Sequence, residues 1–110
     1  MIDEFYFYRH KRYYRCTVAG FDALSDPLRL QVIELLRSQE LCVSDLWKAL
    51  GLPQSQMSFH LKILREVGLV HSHQRGRLIY YSLNLTQFTV LQEYLAQYQN
   101  IASILPPDCY

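Results

Sequence analysis

The sequence predicts a mainly α-helical fold with one small β-hairpin, a winged helix-turn-helix that dimerises through its N- and C-terminal helices. Three observations carry that expectation. Two short amphipathic segments flank a Gly51-Leu52-Pro53 turn, the stretch after them reads as two strands, and the outer segments repeat apolar residues at helical spacing. With 110 residues the chain has one domain's worth of sequence. A single domain over 1–110 is expected, with a core at about 20–100, an N-terminal arm at 1–15 and a C-terminal tail at 106–110.

The elements follow in order. Tyr13 to Leu24 places Tyr14, Val18, Phe21 and Leu24 on one helical face. Ser25-Asp26-Pro27 is a helix start, a capping residue followed by proline at the first helical position. Leu28, Val32, Ile33, Leu35 and Leu36 then share a face, and that helix is expected to end near Ser38. Val43 to Leu50 spaces Leu46 and Leu50 four apart and stops at Gly51. Pro53 opens a third run in which Met57, Leu61, Leu64 and Val67 form an apolar stripe that Gly68 ends. Its other face carries Gln54, Ser55, Gln56, Ser58, Phe59, Lys62 and Arg65, almost without acid. By composition alone that face is equally a solvated helix surface or a reading surface.

The next stretch favours reading. Leu69 to His73 and Arg77 to Ser82 are predicted strands, with Arg75-Gly76 at the turn. A cationic hairpin tip does nothing for folding but suits a phosphate backbone or an A·T-rich minor groove. His71 and His73 alternate on one strand, which makes them a conceivable ligand pair but more readily a wing surface. Leu85 to Leu105 carries two apolar stripes, Phe88, Leu91, Leu95 and Tyr98 beside Val90, Tyr94, Ile101 and Leu105. One stripe covers the core; the second implies a partner, most simply a second copy. The aromatic Phe5 to Tyr8 segment has no assigned role.

Charge and composition set the outer limits. Eleven Lys/Arg against ten Asp/Glu give a formal net charge of +1, but the cations fall in blocks. Arg9, Lys11, Arg12 and Arg15 form one; Lys62, Arg65, Arg75 and Arg77, against Glu66 alone, form the other. Such a chain can present one basic face. No apolar run approaches the roughly 18 residues of a membrane span, and Met1 to Glu4 begins no signal core, so a cytoplasmic protein is expected. Cys16, Cys42 and Cys109 cannot all pair within one chain, which argues against a disulfide framework. No Gly-x-Ser-x-Gly, phosphate loop or carboxylate pair is present, so no enzyme is expected.

The segments Phe21 to Leu30, Glu40 to Leu46, Ser58 to Val70, Arg75 to Arg77 and Tyr80 to Leu83 together resemble the ArsR/SmtB family, dimeric winged-helix repressors that sense metals, metalloids or thiol chemistry. The resemblance implies that Gln54 to Arg65 enters the major groove of operator DNA and that Arg75 and Arg77 lie along the backbone. Residue chemistry agrees: Gln pairs with adenine, Ser reads several base edges, and Lys62 and Arg65 suit phosphates. His60 fills the histidine position of the family's Ser-x-His-Leu pattern, either holding the turn or touching DNA. Phe59 either meets a thymine methyl or packs on the wing.

The sensory site is less determined. Arsenite-binding members look similar through Glu-Leu-Cys-Val-Cys-Asp-Leu-Cys, where this chain reads Glu40-Leu41-Cys42-Val43-Ser44-Asp45-Leu46-Trp47. One thiolate remains where soft acceptors need several. Cys42 with Cys16 and Cys109 would supply three thiolates for arsenite or antimonite, the inducer favoured by the likeness of Gln54 to Leu95 to arsenic-operon repressors. Cys42 and Asp45 with Cys16 and His10 would instead suit Zn(II) or Cd(II). A thiol-redox or sulfide sensor using Cys42 is a third reading, and Cys16 and Cys109 as plain packing or tail residues a fourth. The resemblance also implies a second metal site, built from Asp/His and His/Glu pairs on the last helix, but Leu85-Thr86-Gln87 and Gln97 to Ile101 offer no such ligands, so that site is not expected, and DNA binding is expected to need no cofactor.

Overall fold

A computed structural model of the chain describes residues 15–99. Residues 1–14 of the N-terminal arm, with His10 and the Phe5 to Tyr8 segment, and Ile101, Leu105 and Cys109 lie outside the described residues. The elements are α1 (residues 15–23 as described), α2 (Pro27–Leu35), β1 (Leu41–Cys42), α3 (Val43–Leu50), α4 (Gln54–Glu66), β2 (Val70–Arg75), β3 (Leu78–Leu83) and α5 (Leu85–Ala96). A mostly helical body carries a small antiparallel sheet, the architecture expected of a winged helix-turn-helix.

Local chemistry explains the boundaries. The Asp26 carboxylate accepts from the backbone N–H groups of Leu28 at 2.8 Å and Arg29 at 3.2 Å, satisfying donors that α2 leaves open at its start. That helix ends at Leu35, a few residues before the expected stop near Ser38. Gly51 closes α3 at φ 67°, a left-handed conformation that side chains resist, and Leu52 N–H returns to the Trp47 carbonyl at 3.0 Å. The chain therefore turns tightly between α3 and α4, as a helix-turn-helix requires. Gly20 serves a different need: a Cβ there would stand 2.9 Å from Leu91 Cδ2, so its absence lets α1 lie close on α5.

The core joins Val32, Leu36, Leu46, Met57, Leu61, Leu64, Leu69, Val70 and Leu91, with Ala23 of α1. Met57, Leu61 and Leu64 are the buried side of the α4 stripe, and Val67 packs partly buried against the same cluster. In α1 the face differs from the one expected: Thr17 and Ala23 are buried, while Val18 is 66% exposed. The first α5 stripe divides likewise, with Leu91 in the core and Leu95 and Tyr98 outside it.

Three strands form the sheet, in the order β1-β3-β2. The hairpin register pairs Arg75 with Leu78, leaving Gly76-Arg77 as the two-residue turn, one position later than expected. The short β1 has no counterpart among the expected elements: Leu41 pairs with Tyr81 and Cys42 with Tyr80, which seats the segment before α3 on the wing.

Candidate nucleic-acid interface and thiol site

The outward side of α4 is built as expected. Gln54, Ser55, Gln56, Ser58, Lys62 and Arg65 are exposed, and Phe59 is 58% exposed, so the wing does not cover it. Burial of Met57, Leu61 and Leu64 fixes which way the helix is rolled, and the polar side chains follow from its 3.6-residue period. Lys62 lies 4.0 Å from Glu66, an exposed pair too weak to hold it.

His60, expected either to hold the turn or to touch DNA, differs from these exposed residues in being buried. It is 5% exposed, and its Nδ1 lies 3.3 Å from Arg29 Nη1. A guanidinium can only donate, so Nδ1 accepts and the ring proton belongs on Nε2. Arg29 Nε also donates to the Ala23 carbonyl at 2.6 Å. Arg29 thus ties the end of α1 to the middle of α4, and His60 is a positioning residue. Asp26 stands beside this tie. Desolvation pushes its carboxyl up, but the Arg29 and Leu28 amides, then the charge of Arg29, outweigh it and leave the group below its ordinary value.

At the wing, Arg77 is exposed in the turn, whereas Arg75 already has partners. Its Nη2 donates to Glu40 Oε2 at 3.0 Å, and its guanidinium lies over the Tyr80 ring, 4.8 Å from the centroid. Glu40 has no predicted role in the sequence, because only the pairing of β1 with β3 brings it here.

The thiol site is partial. Cys42 is buried, and its Sγ lies 3.1 Å from both Asp45 Oδ2 and Ser44 Oγ. Asp45 Oδ2 also accepts from the Cys42 backbone N–H at 3.4 Å. Cys16 is exposed and lines a groove of about 300 Å³ with Arg15, Glu66 and Gln87. It does not join the Cys42–Asp45 pair: among the described residues no three of His, Cys, Asp and Glu come together as a metal site. No described helix is long and apolar enough to cross a membrane.

With this geometry in view, comparison with known proteins is decisive. The family described as bacterial regulatory protein, arsR family, matches residues 26–72, from the α2 cap into β2. The transcriptional repressor SdpR of Bacillus subtilis (strain 168) is 36% identical over 73 residues, 66% of this chain and 78% of that protein. The chain belongs to the ArsR/SmtB family. A transcriptional repressor SmtB homolog from Synechocystis sp. is 48% identical over 63 residues, 57% of this chain and 48% of the relative. The match thus spans about half of that relative's length. The solved structure of an ArsR-like transcriptional regulator from Rhodococcus sp. RHA1 superposes with a TM-score of 0.73 at 26% identity, over 83% of this chain and 91% of that one. Other matching relatives are named as an arsenical resistance operon repressor and as cadmium resistance regulatory proteins. ArsR/SmtB proteins are transcriptional regulators, not enzymes, and this winged helix is a regulator of that kind.

Proposed function

We propose that this ArsR/SmtB chain is a repressor that binds double-stranded operator DNA as a homodimer and is released by a thiophilic metalloid, arsenite or antimonite. One observation carries the DNA reading: α4 buries Met57, Leu61 and Leu64 while leaving Gln54, Ser55, Gln56, Ser58, Phe59, Lys62 and Arg65 exposed on the opposite side. Amide and hydroxyl groups are base-edge readers, Phe59 is apolar contact for a thymine methyl, and Lys62, Arg65 and Arg77 are phosphate ligands. Two such helices, one per protomer, address half-sites about 34–36 Å apart.

Cys42 supports the inducer reading, being a thiol-bearing residue at the start of α3 whose backbone pairs with the wing strand. Its remaining thiolate partners would be Cys16 and Cys109, within or across protomers. The 3.1 Å contact of Cys42 with Asp45 favours a second reading, a Zn(II)- or Cd(II)-type site with His10 or Cys16.

The test is fluorescence anisotropy with a 30-base-pair duplex (about three turns) selected by the protein from a random pool. The logarithm of the affinity falls linearly with log salt if phosphates are engaged. Arsenite, antimonite, cadmium or zinc then releases the duplex from the parent chain but not from Cys42→Ser. Salt-independent binding overturns the DNA reading; release that ignores Cys42→Ser overturns the inducer site.

A further inference from the structure

The wing arginine expected to meet DNA is already held by an acid of the same chain. Arg75 Nη2 lies 3.0 Å from Glu40 Oε2, and His73 Nε2 approaches the same oxygen at 3.4 Å. Arg75 Nη2 is also 3.2 Å from His73 Nε2. Tyr80 floors the cluster, stacking with His73 at 6.0 Å between centroids and lying under the Arg75 guanidinium. The sheet order explains the meeting. His73 and Arg75 alternate onto one face of β2, Tyr80 is the cross-strand partner of His73 on β3, and β1 on the far side of β3 delivers Glu40.

From this geometry we infer that Glu40 is an internal stand-in for a DNA phosphate, an autoinhibitory contact that Arg75 must leave to engage the duplex. The inference rests on the DNA-binding reading above and assigns a regulator within that site. A carboxylate and a phosphate both offer a guanidinium anionic oxygen acceptors, so the two compete for the same N–H donors. The pair is exposed, 64% at the Arg75 side chain and 42% at Glu40, which keeps it weak enough to exchange. When Arg75 leaves, His73 remains beside Glu40.

The experiment is a double-mutant cycle on the full chain, using the selected duplex. Glu40→Gln is expected to tighten binding about two- to fivefold per protomer, the range of an exposed ion pair. In an Arg75→Gln background the same substitution is expected to change nothing. Glu34→Gln, with the same formal charge change on α2 and an exposed ion pair of its own to Arg37, measures the general field. A Glu40→Gln gain that survives in Arg75→Gln, or merely equals that of Glu34→Gln, overturns the latch while leaving DNA binding standing. If the parent chain binds no duplex at all, the DNA reading itself fails and the latch with it.

Discussion

Single side chains divide the candidate interface into groups that hold the fold and groups left exposed. His60 and Arg29 hold. Removing the imidazole leaves a part-buried guanidinium contact unmet and opens space in the core, so His60→Ala is expected to lower unfolding free energy by about 1–3 kcal/mol in urea denaturation. Gln54→Ala removes only exposed atoms, so its stability should stay within about 0.5 kcal/mol of the parent while it loses discrimination at one base pair. Asp26 adds a pH signature. Its carboxyl lies below the ordinary value in the folded chain, so its stabilisation is complete above the ordinary carboxylate range and fades as pH falls through the lowered value. The melting temperature of Asp26→Asn should accordingly trail the parent at neutral pH and approach it in acid. Equal gaps at both ends would mean that the α2 cap acts without its charge.

Secondary-structure elements show where local chemistry suffices. Gly51 sits at φ 67° with no other atom within 4 Å of the place a Cβ would take, so Gly51→Ala tests backbone strain alone. The left-handed cost of about 1–2 kcal/mol, less what alanine recovers by restricting the unfolded chain, predicts a net loss of about 0.5–1 kcal/mol in chemical denaturation. Turn, cap and apolar period are local, which is why Val43–Leu50 is legible in the sequence to the residue and α4 nearly so. The two-residue β1 has no period to detect; it exists only because β3 is beside it. Glu40 and Arg29 are silent in the sequence for the same reason, their partners lying 35 and 31 positions away. The polar face of α4 is readable as a surface, while the inward turn of His60 depends on a guanidinium from another helix.

At the scale of the whole molecule, the outer helices leave apolar surface uncovered. Val18 on α1 and Leu95 on α5 are 66% and 55% exposed, and Tyr98 beyond α5 is 51% exposed. Phe21 and Tyr94 meet edge to face between the two helices, 5.7 Å between centroids, so this surface rides on one packed pair. A homodimer through α1 and α5 predicts that Leu95→Glu yields a folded monomer in sedimentation experiments, with weakened operator binding. A variant that stays dimeric would move the contact elsewhere. The same pair of helices bears on what lies beneath them. Ala23, at the inner end of α1, is tethered by Arg29 to His60 through links of 2.6 and 3.3 Å. If one protomer slid against its twin, the tether would drag on α4 from behind. The pitch at which each twin meets the double helix would then be governed from the far side of the molecule, where nucleotides never reach.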